Sequence, residues 1–287
     1  MAALQVFINL NLLLLGAKMR PLLDFEKCPH MLICGSTGSG KTYATAFLLA
    51  KLAKCEEDIS LVVCDYKKSG FGWLEESGCP AFYGYDKVTD GIDAVYNEFS
   101  QRLRLNDKVR NSKQLFLFID EYGAYISALD KKAADTVKSK IGEMLFMGRS
   151  LGVHLIIGIQ RADASYFYAG ARDQFSAILM LGNLSEEQKS MLVPNYKEQM
   201  RELNARGQGY LYVDGSGFFR VLVPMVEDEE KVHSAIKSIM ADGLPSAAVA
   251  APGLTAGGAV REGVRPPFFA RVSITPCKLL SQAANTN

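Results

Sequence analysis

The stretch that most constrains this chain is Gly35 to Thr42, reading GSTGSGKT, which fits G-x-x-x-x-G-K-[ST] at every fixed position. Met31-Leu32-Ile33-Cys34 precedes it, an apolar run of strand length. Tyr43 to Leu52 comes next, rich in Ala and Leu and without Gly or Pro, which predicts a helix. Strand, glycine loop and helix is the context a phosphate-binding loop requires. In that geometry the backbone N–H groups of Gly35, Ser36, Thr37, Gly38, Ser39, Gly40 and Lys41 form a nest for anionic oxygens. Lys41 then reaches the β- and γ-phosphates of ATP, and Thr42 offers a hydroxyl to Mg²⁺. The bland alternative is a flexible Gly/Ser turn. By average residue usage the strict pattern arises in a chain of this length roughly one time in a hundred, so the flanks decide for a nucleotide site.

Further runs repeat the alternation of strand and helix. Leu61 to Asp65, Gln114 to Ile119, Val153 to Ile159 and Ala177 to Leu181 read as strands buried on both faces. Asp90 to Leu105 shows a helical period through Ile92, Val95, Tyr96, Phe99 and Leu103. Val137 to Met147 shows another, with Val137, Ile141, Met144 and Leu145 on one face. Ser185-Glu186-Glu187-Gln188 resembles a helix-capping box. Gly209 to Asp214 and Phe218 to Val223, joined by Gly215-Ser216-Gly217, predict a hairpin. The order implies an α/β fold, a mainly parallel sheet with helices on both faces. Residues 1–27 read as an N-terminal arm, in which Val6 to Leu12 is expected to be a strand. Residues 28–240 read as the ATPase body, and 241–287, rich in Ala, Gly and Pro, as a disordered tail.

Composition narrows the class without naming a partner. Among 287 residues, 32 Lys and Arg balance 31 Asp and Glu, so any basic surface must be local. The six cysteines show no C-x-x-C and no metal spacing with the three histidines, a pattern expected of a reduced, cytoplasmic protein without a zinc site. Met1 to Ala17 is apolar but lacks a basic flank, and no run reaches membrane-spanning length.

The second half of the site is Leu115 to Glu121, LFLFIDE, an apolar run ending in two acids. Asp120 at the carboxyl end of a strand can hold Mg²⁺ through water, and Glu121 can deprotonate the attacking water. Two acids at a strand end are common and on their own imply no more than a cap. Paired with the glycine loop they form a catalytic set. One further strand, ending in Asp65, separates the two motifs, which favours a RecA-like arrangement over small-molecule kinases and GTPases. Asp120-Glu121-Tyr122-Gly123 also matches D-x-x-G, but no N-K-x-D comes after it. The fourth strand ends in Gln160, a neutral amide suited to the γ-phosphate or to satisfying a strand end; periodicity does not separate the two.

GSTGSGKT, VVCDYKK, LFLFIDE and MGRSLGVHLIIGIQR together resemble the motor domain of FtsK/SpoIIIE-type DNA translocases, and most the short versions carried by conjugative elements and plasmids. The resemblance spans about residues 29–226. It implies a RecA-like P-loop NTPase fold, a homohexameric ring, and ATP-driven movement of double- or single-stranded DNA. It also implies a relaxase or membrane transfer-channel partner, and membrane proximity only through such a partner. Residue by residue, Lys41 and Thr42 become the phosphate and Mg²⁺ contacts, Asp120 and Glu121 the acidic pair, and Gln160 the γ-phosphate sensor, on a strand between the other two. The large members carry an arginine in the strand matching Ala177 to Leu181 and another in the next helix. This chain has Ile178, Lys189 and Ser190, which leaves Arg149, Arg161 and Arg172 as candidates for the arginine that completes a neighbour's site. The end of the chain is too short and irregular for a DNA-reading winged helix. DNA contact is expected at Arg161 to Arg172, RADASYFYAGAR, through its two arginines and Tyr166, Phe167 and Tyr168, with Tyr66 to Gly72 a second candidate. Three functions fit: a DNA-pumping motor in conjugative or plasmid transfer, a replication helicase or packaging ATPase of the same fold, and a non-motor nucleotide switch.

Overall fold

The computed structural model describes residues 3–55, 58–105, 113–241 and 243–244. The expected disordered tail, from residue 245 on, lies outside them. Four short elements open the chain: β1 (Leu4–Gln5), β2 (Ile8–Asn9), α1 (Leu10–Leu14) and β3 (Leu22–Leu23). The body continues as β4 (Met31–Gly35), α2 (Lys41–Leu52), β5 (Ile59–Asp65), α3 (Trp73–Glu76), β6 (Phe82–Gly84), α4 (Val88–Arg104), β7 (Gln114–Asp120), α5 (Tyr122–Ala128) and α6 (Lys131–Met147). It ends in β8 (Val153–Ile159), β9 (Ala177–Leu181), α7 (Glu186–Leu192), β10 (Gln208–Val213), β11 (Gly217–Leu222) and α8 (Glu229–Ser238).

Nine of these strands form one sheet in the order β2-β11-β10-β9-β4-β8-β7-β5-β6. The six strands from β9 to β6 in that order are parallel. β10, β11 and β2 add an antiparallel edge. Every residue of β4, β5, β8 and β9 is buried, which explains why these strands read as continuous apolar runs. Helices cover them in two layers, α2 against α8 and α4 against α6. This is a mostly parallel mixed sheet of the RecA-like kind.

Two local expectations are corrected. Val6 to Leu12 is not one strand: Asn9 accepts a hydrogen bond from the Leu12 N–H at 3.2 Å and caps α1, which ends the strand after two residues. Its β2 portion still joins the sheet, pairing Ile8 with Leu222. On α4 the inward face carries Val88, Ile92, Val95 and Phe99, but Leu103 points outward and Arg102 is buried in its place. The capping box holds: Ser185 Oγ accepts from the Gln188 N–H, and Gln188 Oε1 accepts from the Ser185 N–H at 3.1 Å.

Candidate nucleotide and hydrolysis site

In a parallel sheet the carboxyl ends of adjacent strands meet at one edge, and β8 lies between β4 and β7. The glycine loop leaving β4, Gln160 leaving β8 and the acids leaving β7 are therefore neighbours. Gly38 and Gly40 hold φ of 83° and 96°, conformations that L side chains rarely adopt. Gly40 caps α2 without a side-chain bond, so the first N–H groups of the helix stay directed into the loop. The loop is braced from the far side by the Gly207 N–H, which donates to the Ser39 carbonyl at 3.2 Å. Tyr43 Oη accepts from the Val226 N–H just beyond Thr42. Ser39 Oγ is buried with no hydrogen-bond partner among the described residues. A donor left without an acceptor inside an anion nest fits a phosphate oxygen.

Lys41 is buried. Its Nζ lies 2.5 Å from Asp120 Oδ1 and 3.0 Å from Glu121 Oε1. Burial pulls its pKa down, but the two carboxylates outweigh this and hold it above the ordinary lysine value. Asp120 is pushed up by burial, against the opposing pull of Lys41. Glu121 is also pushed up by burial, but Lys41, Lys67 and Gln160 together bring it below the usual carboxylate range. Glu121 sits at φ 55°, ψ 35°, a left-handed conformation unusual for a non-glycine residue, at the N-cap of α5.

The residues proposed for Mg²⁺ supply a hydroxyl and a carboxylate oxygen, the hard donors this ion prefers. The surroundings leave Asp120 room. A Cβ on Gly158, in the adjacent strand, would stand 2.6 Å from Asp120 Oδ1. Thr42 is pressed by a loop from β5, since a Cβ on Gly70 would stand 2.5 Å from Thr42 Cγ2. Asp65 fastens that loop, accepting from the N–H groups of Lys67 at 3.1 Å, Gly70 at 3.1 Å and Phe71 at 2.9 Å. Both oxygens of Asp65 are thus engaged by its own loop. Lys67, lifted by the same loop, donates to Glu121 Oε2 at 3.0 Å. Motif and period assign neither Lys67 nor Gly158 to the hydrolysis site. A signal for Lys67 exists: β5 pairs with β7 so that Asp65 faces Asp120, which brings a residue two positions later near Glu121.

Gln160 donates through Nε2 to both Glu121 oxygens, at 3.1 Å and 2.9 Å. The segment after it is not a free loop. β8 and β9 both run parallel to β4, so residues 161–176 form the crossover that carries the chain from one end of the sheet back to the other. Phe167 is buried there, 5.4 Å from the ring of Tyr122 and 5.4 Å from that of Phe175. Tyr166 rests on Gly123. Of the three aromatics expected at DNA, Tyr168 is the exposed one, at 60%. Arg161 is exposed at the carboxyl end of β8, whereas Arg172 lies near the amino end of β9 and Arg149 just before the amino end of β8. The three candidate arginines therefore do not share one rim of the sheet.

Comparison with known proteins agrees with this geometry. Residues 13–83, which hold the glycine loop and β5, match the family described as Helicase HerA, central domain. The FtsK domain-containing protein YdcQ of Bacillus subtilis is 30% identical over 255 residues, covering 84% of this chain and 53% of that protein. The DNA translocase FtsK of Clostridium acetobutylicum is 27% identical over 161 residues, covering 48% of this chain and 20% of that one. The chain thus spans about half the length of the first relative and about a fifth of the second. Among solved structures, EssC ATPases 2 and 3 from Geobacillus thermodenitrificans align with a TM-score of 0.63 at 16% identity, over 84% of this chain and 48% of that one. The pCW3 conjugation coupling protein TcpA, solved with ATPγS, aligns with a TM-score of 0.62 at 19% identity, over 81% and 70%. By its glycine loop, its acidic pair and these matches, the chain carries a HerA/FtsK-type domain on a RecA-like P-loop fold.

Proposed function

We propose that this domain hydrolyses ATP and uses the cycle to move DNA. The observation that carries the reading is the meeting of Lys41, Asp120, Glu121 and Gln160 at one sheet edge, beside an open anion nest. Lys41 leaves its carboxylates for the β- and γ-phosphates, and Gln160 turns toward the γ-phosphate. Thr42 and Asp120 would hold Mg²⁺, which neutralises phosphate charge when bound. Glu121, freed of those donors, accepts a proton from a water whose oxygen bonds to the γ-phosphorus. The bond from that phosphorus to the β–γ bridging oxygen breaks, giving ADP and phosphate.

DNA as cargo is supported by the relatives named DNA translocase FtsK. In this reading residues 28–240 are the motor, 1–27 an arm at its edge and 241–287 a tail outside it. The working form is a homohexameric ring serving conjugative or plasmid transfer, with a relaxase or membrane channel as partner. Among the described residues no helix is long and apolar enough to cross a membrane. A nucleotide switch is the weaker reading, because a switch has little use for a carboxylate at the position of Glu121. The test is steady-state phosphate release with Mg²⁺, with and without duplex or single-stranded DNA. Several-fold stimulation by one of them is expected, and flat hydrolysis would sink the motor reading.

A further inference from the structure

An ionised carboxylate has about four lone-pair positions on its two oxygens. In Glu121 both oxygens are engaged, by two ammonium groups and one amide shared between them. Oε1 accepts from Lys41 at 3.0 Å and Gln160 at 3.1 Å, and Oε2 from Lys67 at 3.0 Å and Gln160 at 2.9 Å. A base held in that way is oriented by its donors and made less basic by the two ammonium groups. Two of the donors have a destination once nucleotide arrives: Lys41 belongs to the glycine loop, and Gln160 stands at the end of the adjoining strand. Lys67 comes from neither. It arrives from the outer side, over the end of β5, with its side chain 42% exposed while that of Glu121 is 9% exposed. Its loop is held rigidly by Asp65 and touches Thr42 through Gly70. Lys68 and Ser69 beside it are exposed. The ammonium of Lys67 thus stands between the buried base and the outside of the domain.

We propose that Lys67 is a positioning residue that clamps Glu121 away from the attacking water until an anionic phosphate oxygen draws its ammonium off. This rests on the reading of Glu121 as the general base. Two sources supply such an oxygen: the γ-phosphate of ATP from within, and the DNA backbone from the exposed side of the loop. A half-exposed lysine bonded through one oxygen is a point charge on a flexible stem, so exchange of carboxylate for phosphate asks only for a change of rotamer. Removal of the clamp frees one lone pair of Glu121 without touching Lys41, Gln160 or the glycine loop.

The test uses the full chain with Lys67→Met, which keeps the stem and removes the charge, and Lys67→Arg, which keeps the charge. Lys67→Met should raise DNA-free kcat by roughly tenfold, the rate equivalent of one charge-assisted hydrogen bond. Lys67→Arg should behave like the wild type. Binding locates the source. If DNA draws the lysine off, Lys67→Met lowers the slope of log affinity for DNA against log salt by about one. If the γ-phosphate does so, that slope is kept and ATPγS affinity falls while ADP affinity does not. A DNA-free kcat that is unchanged or lowered in Lys67→Met overturns the clamp. Failure of the reading beneath it looks different, because Glu121→Gln would then turn over near normally whatever stands at position 67.

Discussion

The two ends of the sheet bury polar groups to the same depth and use them in opposite ways. At the carboxyl end Lys41, Asp120 and Glu121 meet within 3.0 Å, on a backbone strained at Glu121. At the amino end Arg102 donates through Nε to Glu98 at 2.8 Å, and through Nη1 to the carbonyls of Lys113 and Leu151, each at 2.8 Å. His30 accepts at Nδ1 from the Leu155 N–H at 3.1 Å, and His154 lies 3.1 Å from the Pro29 carbonyl. Arg102 and the histidines each lean on at least one backbone group, fixed in the sheet and its loops, beside the side chains of Glu98 and Gln114. Lys41, Asp120 and Glu121 lean on charged side chains, each of which has a better partner in a phosphate or a cation. Burial alone does not mark a site; the mobility of the partner does.

The largest effect that can break this contrast is on turnover. Glu121→Gln keeps the shape of the side chain and loses its basicity. It should lower kcat by about 10²–10⁴-fold while ATPγS affinity stays within a few-fold. Phosphate release and equilibrium binding measured on one preparation decide it. Near-normal turnover would move the base elsewhere, although Asp65 is already committed to three backbone N–H groups.

Arg102 is the matching probe at the other end. Arg102→Ala leaves Glu98 and several carbonyls buried without their donor, a loss of about 3–5 kcal/mol by analogy with other broken buried pairs. The urea midpoint should fall accordingly, while ATPγS affinity of the molecules still folded is kept. Weakened nucleotide binding with unchanged stability would mean that the two ends are not separable.

How far the sequence discloses all this differs between the same two regions. The glycine loop, the acidic pair and Gln160 are legible because each sits at the end of a short apolar run, and parallel strands bring their carboxyl ends to one edge. The order of β4, β8 and β7 is implied by the family resemblance, and the sheet has it so. Lys67 is visible only as one lysine of a loop, since its contact depends on the register of β5 against β7. Lys41 reads as the phosphate contact of the glycine loop, and the motif does not show that it is buried against the two acids. The amino end is hardly legible. Helical period puts Leu103 in the core, but Arg102, one position earlier, lies over the starts of β7 and β8, where unpaired carbonyls select a donor over a methyl group. Period identifies a face; it does not say which neighbouring groups need a partner.

The smallest expected effect concerns the buried histidines and turns on sign. Burial, with His154 nearby, lowers the pKa of His30 from 6.5 to about 3. Burial lowers that of His154 to about 4, against a raising pull from the Pro29 carbonyl. A neutral His154 donates from Nδ1 to that carbonyl and accepts at Nε2 from the Gln114 side chain, 2.8 Å away, whose amide O and N exchange by a flip. Well above pH 6.5 both imidazoles are neutral in the folded and unfolded chain, so they give stability no pH dependence there. Below 6.5 the unfolded chain takes up protons that the folded chain refuses, and stability falls until the folded histidines titrate near pH 4 to 3. Each contributes at most about 1.4 kcal/mol per pH unit. Between pH 7.5 and 5.5 the loss should be about 3 kcal/mol for the pair, read as a lower urea midpoint with unchanged slope. Mg²⁺-dependent nucleotide binding should change far less over the same range. A midpoint that does not move would show these rings taking up protons in the folded chain as they do in the unfolded one, and the amino end would then hold groups that titrate freely rather than groups locked neutral.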